Sequence, residues 1–125
     1  MEGSSGELVS AGAYRLVLIR APAEAAATLA EAIVQERLAA CVNQLGPVRS
    51  LYWWQGKMES AAEGLLLVKT RVGQLEALLA KVQELHPYEV PEFLALPLSE
   101  GARSYVSWLG QELDAACSKD EKSSA

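Results

Sequence analysis

The sequence predicts an α+β domain of the ferredoxin-like type, in which one antiparallel sheet carries two helices on one face. Segments with strand and helix periodicity alternate in the order β-α-β-β-α-β, and a further helix follows. A turn signal at Gln55-Gly56-Lys57 joins the middle two strands into a long hairpin. The chain has 125 residues, half of them hydrophobic, which suits one domain with an ordinary core.

The first half of the chain supplies two strands and a helix. Residues 14–20 form an apolar strand that ends before Pro22, a residue suited to a helix start. Residues 23–38 predict a helix, because apolar side chains recur on one broad face. Residues 41–54 predict the next strand, which a Gly-Pro pair interrupts and three aromatic residues end. These elements form the first β-α-β unit.

The second half completes the pattern. The return strand of the hairpin ends in the apolar run 64–70, and residues 73–86 predict the second helix. Residues 88–98 are extended and proline-rich, which favours an edge strand. A third helix is predicted over about residues 103–116.

The two ends of the chain lie outside the predicted domain. Residues 1–12 are rich in Gly and Ser and predict a flexible segment, residues 13–116 the folded domain, and residues 117–125 a disordered tail. No signal peptide and no apolar stretch of membrane-spanning length is visible, so we expect a cytoplasmic protein without direct membrane insertion; targeting by an upstream extension is the alternative. Cys41 predicts a buried thiol and Cys117 an exposed one.

The charge balance excludes one class of partner. The net charge is −5, whereas a nucleic-acid-binding protein needs a basic face that neutralises phosphates. We therefore expect no nucleic-acid partner.

Three predicted strands are apolar on both faces, although the two helices cover only one. They are Leu16-Val17-Leu18-Ile19, Leu65-Leu66-Leu67-Val68 and Phe93-Leu94-Ala95-Leu96. A sheet with one wet face would alternate apolar and polar residues instead. One short third helix is too small to cover a whole sheet face, so we expect other copies of the chain to cover it with closed cyclic symmetry.

The segment from His86 to Glu92 carries the most distinctive chemistry. It holds the only histidine of the chain, followed by the carboxylates Glu89 and Glu92, and two prolines stiffen it. Imidazole and carboxylate groups are ligands for divalent metal ions. An alternative is that His86 only ends the second helix while the two glutamates are outward charges on an edge strand.

Several motifs together resemble the CutA family of divalent-cation tolerance proteins. They are Glu36-Arg37-Leu38-Ala39-Ala40-Cys41-Val42-Asn43, Ser50-Leu51-Tyr52-Trp53-Trp54-Gln55-Gly56-Lys57, Lys69-Thr70, His86-Pro87-Tyr88-Glu89-Val90-Pro91-Glu92, Leu96-Pro97 and Tyr105-Val106-Ser107-Trp108-Leu109. Their order and spacing agree with the family from about residue 14 to residue 110. The resemblance implies a ferredoxin-like homotrimer, a link to copper and other divalent cations, and a structural similarity to the PII signalling proteins. For animal relatives it implies an association with membrane anchoring of acetylcholinesterase.

The family's copper ligands carry over only in part. In the bacterial pattern these are a cysteine at the end of the first strand, the histidine before Pro-Tyr, and the acid after the second proline. His86 and Glu92 match, but Ile19 stands at the cysteine position and cannot ligate. The remaining set of His86 and Glu92, with Glu89 as a third candidate, lacks the soft ligand that favours Cu(I). We therefore expect weak binding of copper or another divalent cation.

A second group of residues suggests a pocket between subunits. Trp54, Glu59, Lys69 and Tyr88 are candidates for a ligand or interface pocket, in which Lys69 pairs with Glu59 or Glu92. The alternative is an interfacial ion-pair network without a ligand. Tyr52, Trp53 and Trp54 are expected in the trimer interface, because aromatic residues dominate such cores.

Three functions follow from these observations. The first is a non-enzymatic trimeric protein that weakly binds divalent cations. The second is a trimeric interaction module for a protein partner, and the third is a PII-like sensor of a small molecule. An enzyme is not expected, because the one histidine has no nucleophile near it in the sequence.

Overall fold

The protein is an α+β sandwich, seen in a computed structural model that describes residues 6–124, with side chains described through residue 115. Its elements, in chain order, are β1 (Leu8–Ser10), β2 (Tyr14–Ala21), α1 (Ala23–Gln35), β3 (Cys41–Trp54), β4 (Lys57–Arg71), α2 (Leu75–Leu85), β5 (Glu92–Pro97), β6 (Glu100–Ala102) and α3 (Arg103–Ser124). A 3-10 turn, Val72–Gln74, leads into α2.

The main sheet has four antiparallel strands in the order β3-β4-β2-β5. The strand that begins the repeat, β2, is central and pairs with both β4 and β5. This order is the antiparallel arrangement that the β-α-β-β-α-β pattern predicts, so the ferredoxin-like class is confirmed.

Helices α1 and α2 cover one face of this sheet, and the core lies between the two layers. Its fully buried side chains include Val17, Ile19, Leu29, Ile33, Leu66, Val68, Leu78 and Val82. Gly64 lets α1 approach β4 closely, because a Cβ at this position would lie only 2.8 Å from the Cβ of Ala26. Helix α1 therefore packs directly on the backbone of β4, next to Glu63.

The opposite face of the sheet is apolar and has little cover within one subunit. We call it the open face and define it by Leu16, Leu18, Leu65, Leu67, Leu94 and Leu96, which the strand register places side by side. Leu94 is 57% exposed and Leu96 is 42% exposed. Helix α3 reaches this face near Lys69, whose Nζ lies 5.8 Å from the centroid of the Tyr105 ring.

The first helix ends three residues earlier than its pattern predicts. Arg37 has a φ of 56°, and the Arg37 N–H donates to the carbonyl of Val34 while the Leu38 N–H donates to that of Ile33, each at 3.0 Å. These two bonds form a Schellman ending, which satisfies the last carbonyls of the helix. Leu38 thus packs against the core without belonging to the helix.

The β3–β4 hairpin is long and turns tightly at its tip. Gln55 and Gly56 both have positive φ, 51° and 79°, as a two-residue type I′ turn requires. The register between the strands shifts between Leu45 and Val48, around Gly46-Pro47, so the predicted interruption is a bulge within one strand.

A second, two-stranded sheet involves the segment predicted to be flexible. Strand β1 pairs with β6, and Arg103 forms an ion pair with Glu7. Pairing with β6 therefore orders residues 8–10. The Gly and Ser content of residues 1–12 gives no sign of this pairing. The third helix continues through the predicted tail as far as Ser124. The side chain of Cys117 lies outside the described residues.

Candidate functional site

A cleft of about 560 Å³ opens where the end of β3 faces the segment 87–92. Its lining residues are Arg20, Tyr52, Trp53, Trp54, Pro87, Tyr88, Glu89, Val90, Pro91 and Glu92. The fold thus brings the aromatic end of the hairpin next to the stiff segment after α2. Both groups of residues were singled out from the sequence for separate reasons.

The segment leaves α2 in a direction that its prolines help to set. His86 caps the helix with extended backbone, φ −80° and ψ 133°, as expected for a residue before proline. The His86 N–H still donates to the carbonyl of Val82 at 2.8 Å. The chain therefore turns from helix to extended geometry at one residue, and the His86 ring is carried toward the sheet.

The imidazole ring of His86 is buried, with 7% of the residue exposed. Its Nε2 lies 2.7 Å from the carbonyl oxygen of Arg20 on β2. Its Nδ1 accepts a hydrogen bond of 3.1 Å from the N–H of Tyr88. Both ring nitrogens are therefore engaged within the subunit.

A buried carboxylate that the sequence analysis missed lies behind the cleft. Glu63 on β4 is 1% exposed, and its Oε2 accepts a 2.7 Å hydrogen bond from the hydroxyl of Tyr88. Its Oε1 lies 3.3 Å from the Nε of Arg20, an ion pair without hydrogen-bond alignment. Burial, followed by the hydrogen bond to Glu63, raises the pKa of Tyr88 to about 12. The phenol therefore remains protonated at neutral pH and serves as a donor.

Arg20 links this buried pair to the rim of the cleft. Its Nε lies 3.4 Å from Oε1 of Glu92, its register partner on β5. Its guanidinium carbon lies 5.0 Å from the centroid of the Tyr52 ring, within the range of a cation–π contact. One arginine thus connects a buried glutamate, a half-buried glutamate and an aromatic wall.

The residues expected to bind a metal do not form a ready-made site. Ile19, at the family's cysteine position, lies fully buried on the helix-covered face. Both nitrogens of His86 are engaged, and Glu92 is paired with Arg20. Among the described residues, no group of three or more His, Cys, Asp or Glu side chains lies close enough to hold a metal ion. A mononuclear site with an imidazole ligand therefore does not fit this subunit as folded.

The expected pocket of Trp54, Glu59, Lys69 and Tyr88 is only half assembled within a subunit. Trp54 and Tyr88 both line the cleft. Glu59 lies opposite Tyr52 near the hairpin turn, whereas Lys69 lies opposite Cys41 at the other end of β4. The ten residue steps between them span roughly 33 Å, so the expected Lys69–Glu59 pair does not form within one chain. Lys69 approaches the Tyr105 ring instead.

The aromatic residues at the end of β3 leave large apolar surfaces in contact with solvent. Trp53 is 75% exposed and Trp54 is 41% exposed, while Tyr52 is half-buried beside Arg20.

Cys41, predicted to be buried, is half-buried, and its Sγ lies 4.0 Å from Oδ1 of Asn43.

Two residues of the cleft network carried a weak signal in the sequence. Glu63 stands directly before the apolar run of β4, and Arg20 stands directly after that of β2. Opposite charges at the ends of two adjacent antiparallel strands are candidates for a cross-strand pair. The burial of Glu63 depends on Tyr88, which approaches from a different element and is not visible in strand periodicity.

Membrane insertion through a helix has no support in the described residues, where no helix is both long and apolar enough to cross a bilayer.

Comparison with known proteins identifies the family. Residues 15–112 match the family described as CutA1 divalent ion tolerance protein. The Divalent-cation tolerance protein CutA of Thermus thermophilus is 50% identical over 95 residues, which cover 75% of this chain and 92% of that protein. The Protein CutA, chloroplastic, of Arabidopsis thaliana is 46% identical over 109 residues, which cover 87% of this chain and 58% of that longer protein.

Solved structures agree with this assignment. CutA from Synechococcus elongatus has a TM-score of 0.83 at 37% identity, covering 88% of this chain and 98% of that one. The divalent cation tolerance protein of Thermus thermophilus has a TM-score of 0.75 at 49% identity, covering 77% of this chain and 94% of that one. Residues 15–112, which match the family, include the whole cleft and both helices of the core. The chain belongs to the CutA1 divalent ion tolerance protein family.

Proposed function

We propose that the protein is a homotrimer that acts by binding divalent cations weakly, without catalysis. The main observation in favour of this assembly is that the apolar open face is exposed in a single chain. Leu94 and Leu96 are 57% and 42% exposed on a face whose other members are also leucines. A contiguous apolar patch of this kind on a sheet marks an interaction surface. A second and a third copy of the chain, arranged with closed symmetry, would remove it from water.

The end of the hairpin supports the same assembly. Trp53 and Met58 lie opposite each other near the turn and are 75% and 67% exposed. Strand β3 is also an edge strand with unpaired backbone groups, which favour pairing with another chain. The expected interface residues Tyr52, Trp53 and Trp54 therefore remain part of the proposal. Trp53 and Trp54 face opposite sides of the strand and would meet different neighbours.

The proposed cation ligands are the carboxylates Glu89 and Glu92 at the rim of the cleft. Glu89 is exposed, and Glu92 is half-buried beside Arg20. Two carboxylates without a thiolate suit hard divalent cations and lack the soft ligand that would favour Cu(I). The neighbouring guanidinium lowers the affinity further, which is the physical reason for weak binding. His86, which with Glu92 formed the main pair of the sequence-based set, would have to give up a hydrogen bond to join them.

Native mass spectrometry of metal-free protein titrated with Cu(II) and Mn(II) tests this function. We expect an assembly of three chains that gains up to one cation per chain. The double variant Glu89→Gln/Glu92→Gln should lose this uptake, while Glu76→Gln should keep it. Glu76 is an exposed glutamate in the first turn of α2 and does not line the cleft, so its substitution tests whether uptake depends on the position of the lost carboxylates. Equal uptake by the double variant and the control would contradict the proposed ligands.

A small molecule bound in the cleft is a second candidate function, favoured by the lining of the cleft. Its volume of about 560 Å³ falls within the usual range for small-molecule pockets. Aromatic walls and one arginine are suited to a planar or charged ligand. A thermal-shift screen of metabolites, repeated on Trp54→Ala, tests this function. A stabilising compound whose effect disappears in the variant supports it, and no response across the screen counts against it.

An interaction module for a protein partner is the remaining alternative. It predicts a trimer that takes up neither cations nor metabolites. Cytoplasmic location also remains a prediction, and two plant relatives carry the word chloroplastic in their names.

A further inference from the structure

His86 makes two hydrogen bonds that require opposite roles from its two nitrogens. A backbone carbonyl only accepts, so the Nε2 that lies 2.7 Å from the oxygen of Arg20 must carry the proton. A backbone N–H only donates, so the Nδ1 that lies 3.1 Å from the nitrogen of Tyr88 must be bare. The network is satisfied by one state alone, the neutral imidazole with its proton on Nε2.

We infer that His86 is a positioning residue, which ties the end of α2 to β2 and orients Tyr88, and that it does not ligate cations in this chain. This inference goes beyond the proposed function and does not rest on it. A metal ion needs a lone pair on an imidazole nitrogen. The lone pair of Nδ1 already accepts the Tyr88 N–H, and Nε2 is occupied by its proton.

Ligation would therefore leave one backbone group without its hydrogen bond to the ring. If Nδ1 bound a cation, the N–H of Tyr88 would lose its acceptor. If Nε2 bound a cation, the carbonyl of Arg20 would lose its donor. Either change disfavours ligation, because it breaks a hydrogen bond made by a ring that is itself buried, with 7% of His86 exposed. The same burial obstructs entry of a hydrated ion.

The effect of His86 reaches the cleft through Tyr88. The bond to Nδ1 fixes the Tyr88 backbone, and the two rings lie 4.9 Å apart with a tilt of 54°. From this position the Tyr88 hydroxyl donates to Glu63 at 2.7 Å. Glu63 in turn lies 3.3 Å from Arg20, which lines the cleft. His86 thus sets the geometry of the cleft without contacting whatever binds there.

Nuclear magnetic resonance tests the inference directly, because His86 is the only histidine in the chain. Long-range proton–nitrogen spectra of ¹⁵N-labelled, metal-free protein at neutral pH distinguish a protonated ring nitrogen from a bare one. We expect a protonated Nε2 and a bare Nδ1. Addition of diamagnetic Zn(II), up to a large excess over chains, should leave both signals in place. The opposite tautomer, or a shift that saturates at one Zn(II) per chain, would overturn the inference.

The result for His86 can be told apart from failure of the proposed cation binding. Zn(II) uptake by Glu89 and Glu92, measured by calorimetry on the same sample, can be present or absent whatever the histidine signals do. Uptake without a change at His86 supports both claims. No uptake, together with the expected tautomer, removes the cation function and leaves the positioning role intact.

Paired variants test the positioning role itself. His86→Gln retains one amide donor and one acceptor, whereas His86→Ala retains neither. The measurement is the proton signal of the Tyr88 hydroxyl, which a hydrogen bond to Glu63 protects from exchange with water, assigned by its loss in Tyr88→Phe. We expect this signal in the wild type, a weaker one in His86→Gln, and none in His86→Ala. An unchanged signal in folded His86→Ala would contradict the role. If His86→Ala does not fold, His86→Gln and the wild-type spectra decide the question.

Discussion

The two faces of the main sheet contain similar residues in contrasting surroundings. On the helix-covered face, Ile19 and Leu66 are fully buried within one subunit. On the open face, Leu94 and Leu96 retain about half of their exposure although they lie on the same sheet. The first face is covered by the chain's own helices, while the second stays exposed in a single chain and is the surface proposed for assembly. Folding of the single chain and the proposed assembly thus depend on different leucines. A single substitution should therefore affect one of the two processes and leave the other intact.

The largest effect is expected from a charge on the open face. Leu94→Asp should convert the assembly to single chains, because burying an unpaired carboxylate in an interface costs several kcal/mol. Sedimentation velocity measures the mass, and circular dichroism should show retained secondary structure. Val72→Asp is a matched control, since Val72 is 53% exposed but lies outside the sheet. If both variants keep the wild-type mass, the open face is not the interface.

A truncation on the covered face should act on folding instead. Leu66→Ala removes a fully buried side chain from the centre of the core and should lower the free energy of unfolding by about 2–5 kcal/mol. Urea denaturation at fixed protein concentration measures the loss, and the mass of the folded assembly should remain that of the wild type. A loss below that of an exposed control outside the sheet, such as Val72→Ala, would be inconsistent with the assigned core.

The hydrogen bond from Tyr88 to Glu63 should contribute less than a core leucine. Tyr88→Phe leaves Oε2 of the buried Glu63 without its donor and should lower the free energy of unfolding by about 1–3 kcal/mol. Glu63→Gln is a useful companion variant, because its amide retains an acceptor for the Tyr88 hydroxyl. A stability of Tyr88→Phe equal to that of the wild type would mean that the buried carboxylate finds another partner.

The same tyrosine makes stability sensitive to alkaline pH. Burial raises the pKa of Tyr88 to about 12 in the folded chain, against 10.0 as its ordinary value. The folded state therefore favours the protonated phenol, so this contribution is complete below pH 10 and is lost as pH rises toward 12. Denaturation at a series of pH values should show this loss in the wild type. A loss of the same size in Tyr88→Phe would assign it to other groups.

The smallest effect is expected from the exposed ion pair that links α3 to the end of α1. Arg37 and Glu112 lie 3.0 Å apart, and both side chains are 39% exposed. Glu112→Gln should change the free energy of unfolding by less than about 1 kcal/mol, because solvent screens such pairs and Arg37 keeps its bond to the Glu112 carbonyl. A change as large as that of Leu66→Ala would show that α3 is part of the central folding unit.

Periodicity in the sequence was sufficient for the main architecture, because each long element buries a regular stripe. Val17 and Ile19 alternate with Leu16 and Leu18, and both stripes were apolar enough to indicate a second covered face. Short elements carried no such signal. Strand β1 has three residues and depends on pairing with β6, a contact between distant parts of the chain. Composition alone therefore predicted flexibility where there is a strand.

The candidate site was predictable in position but not in its connections. His86, Tyr88 and Glu92 stood out because of their chemistry and spacing. The acceptor for His86 is a backbone carbonyl on β2, and the partner of Tyr88 is a glutamate on β4. Such contacts depend on how α2 and the sheet are packed, which strand and helix patterns do not encode. His86, which suggested a metal ligand in the sequence, therefore connects the end of α2 to β2 in the folded chain.

The most direct test of the central claim is the mass of the native wild-type assembly across a wide range of protein concentrations, measured by native mass spectrometry. The open face predicts chains that remain together on dilution, and the proposed homotrimer predicts that there are three of them. A single chain that remains folded, with the open face still accessible to solvent, would contradict the account.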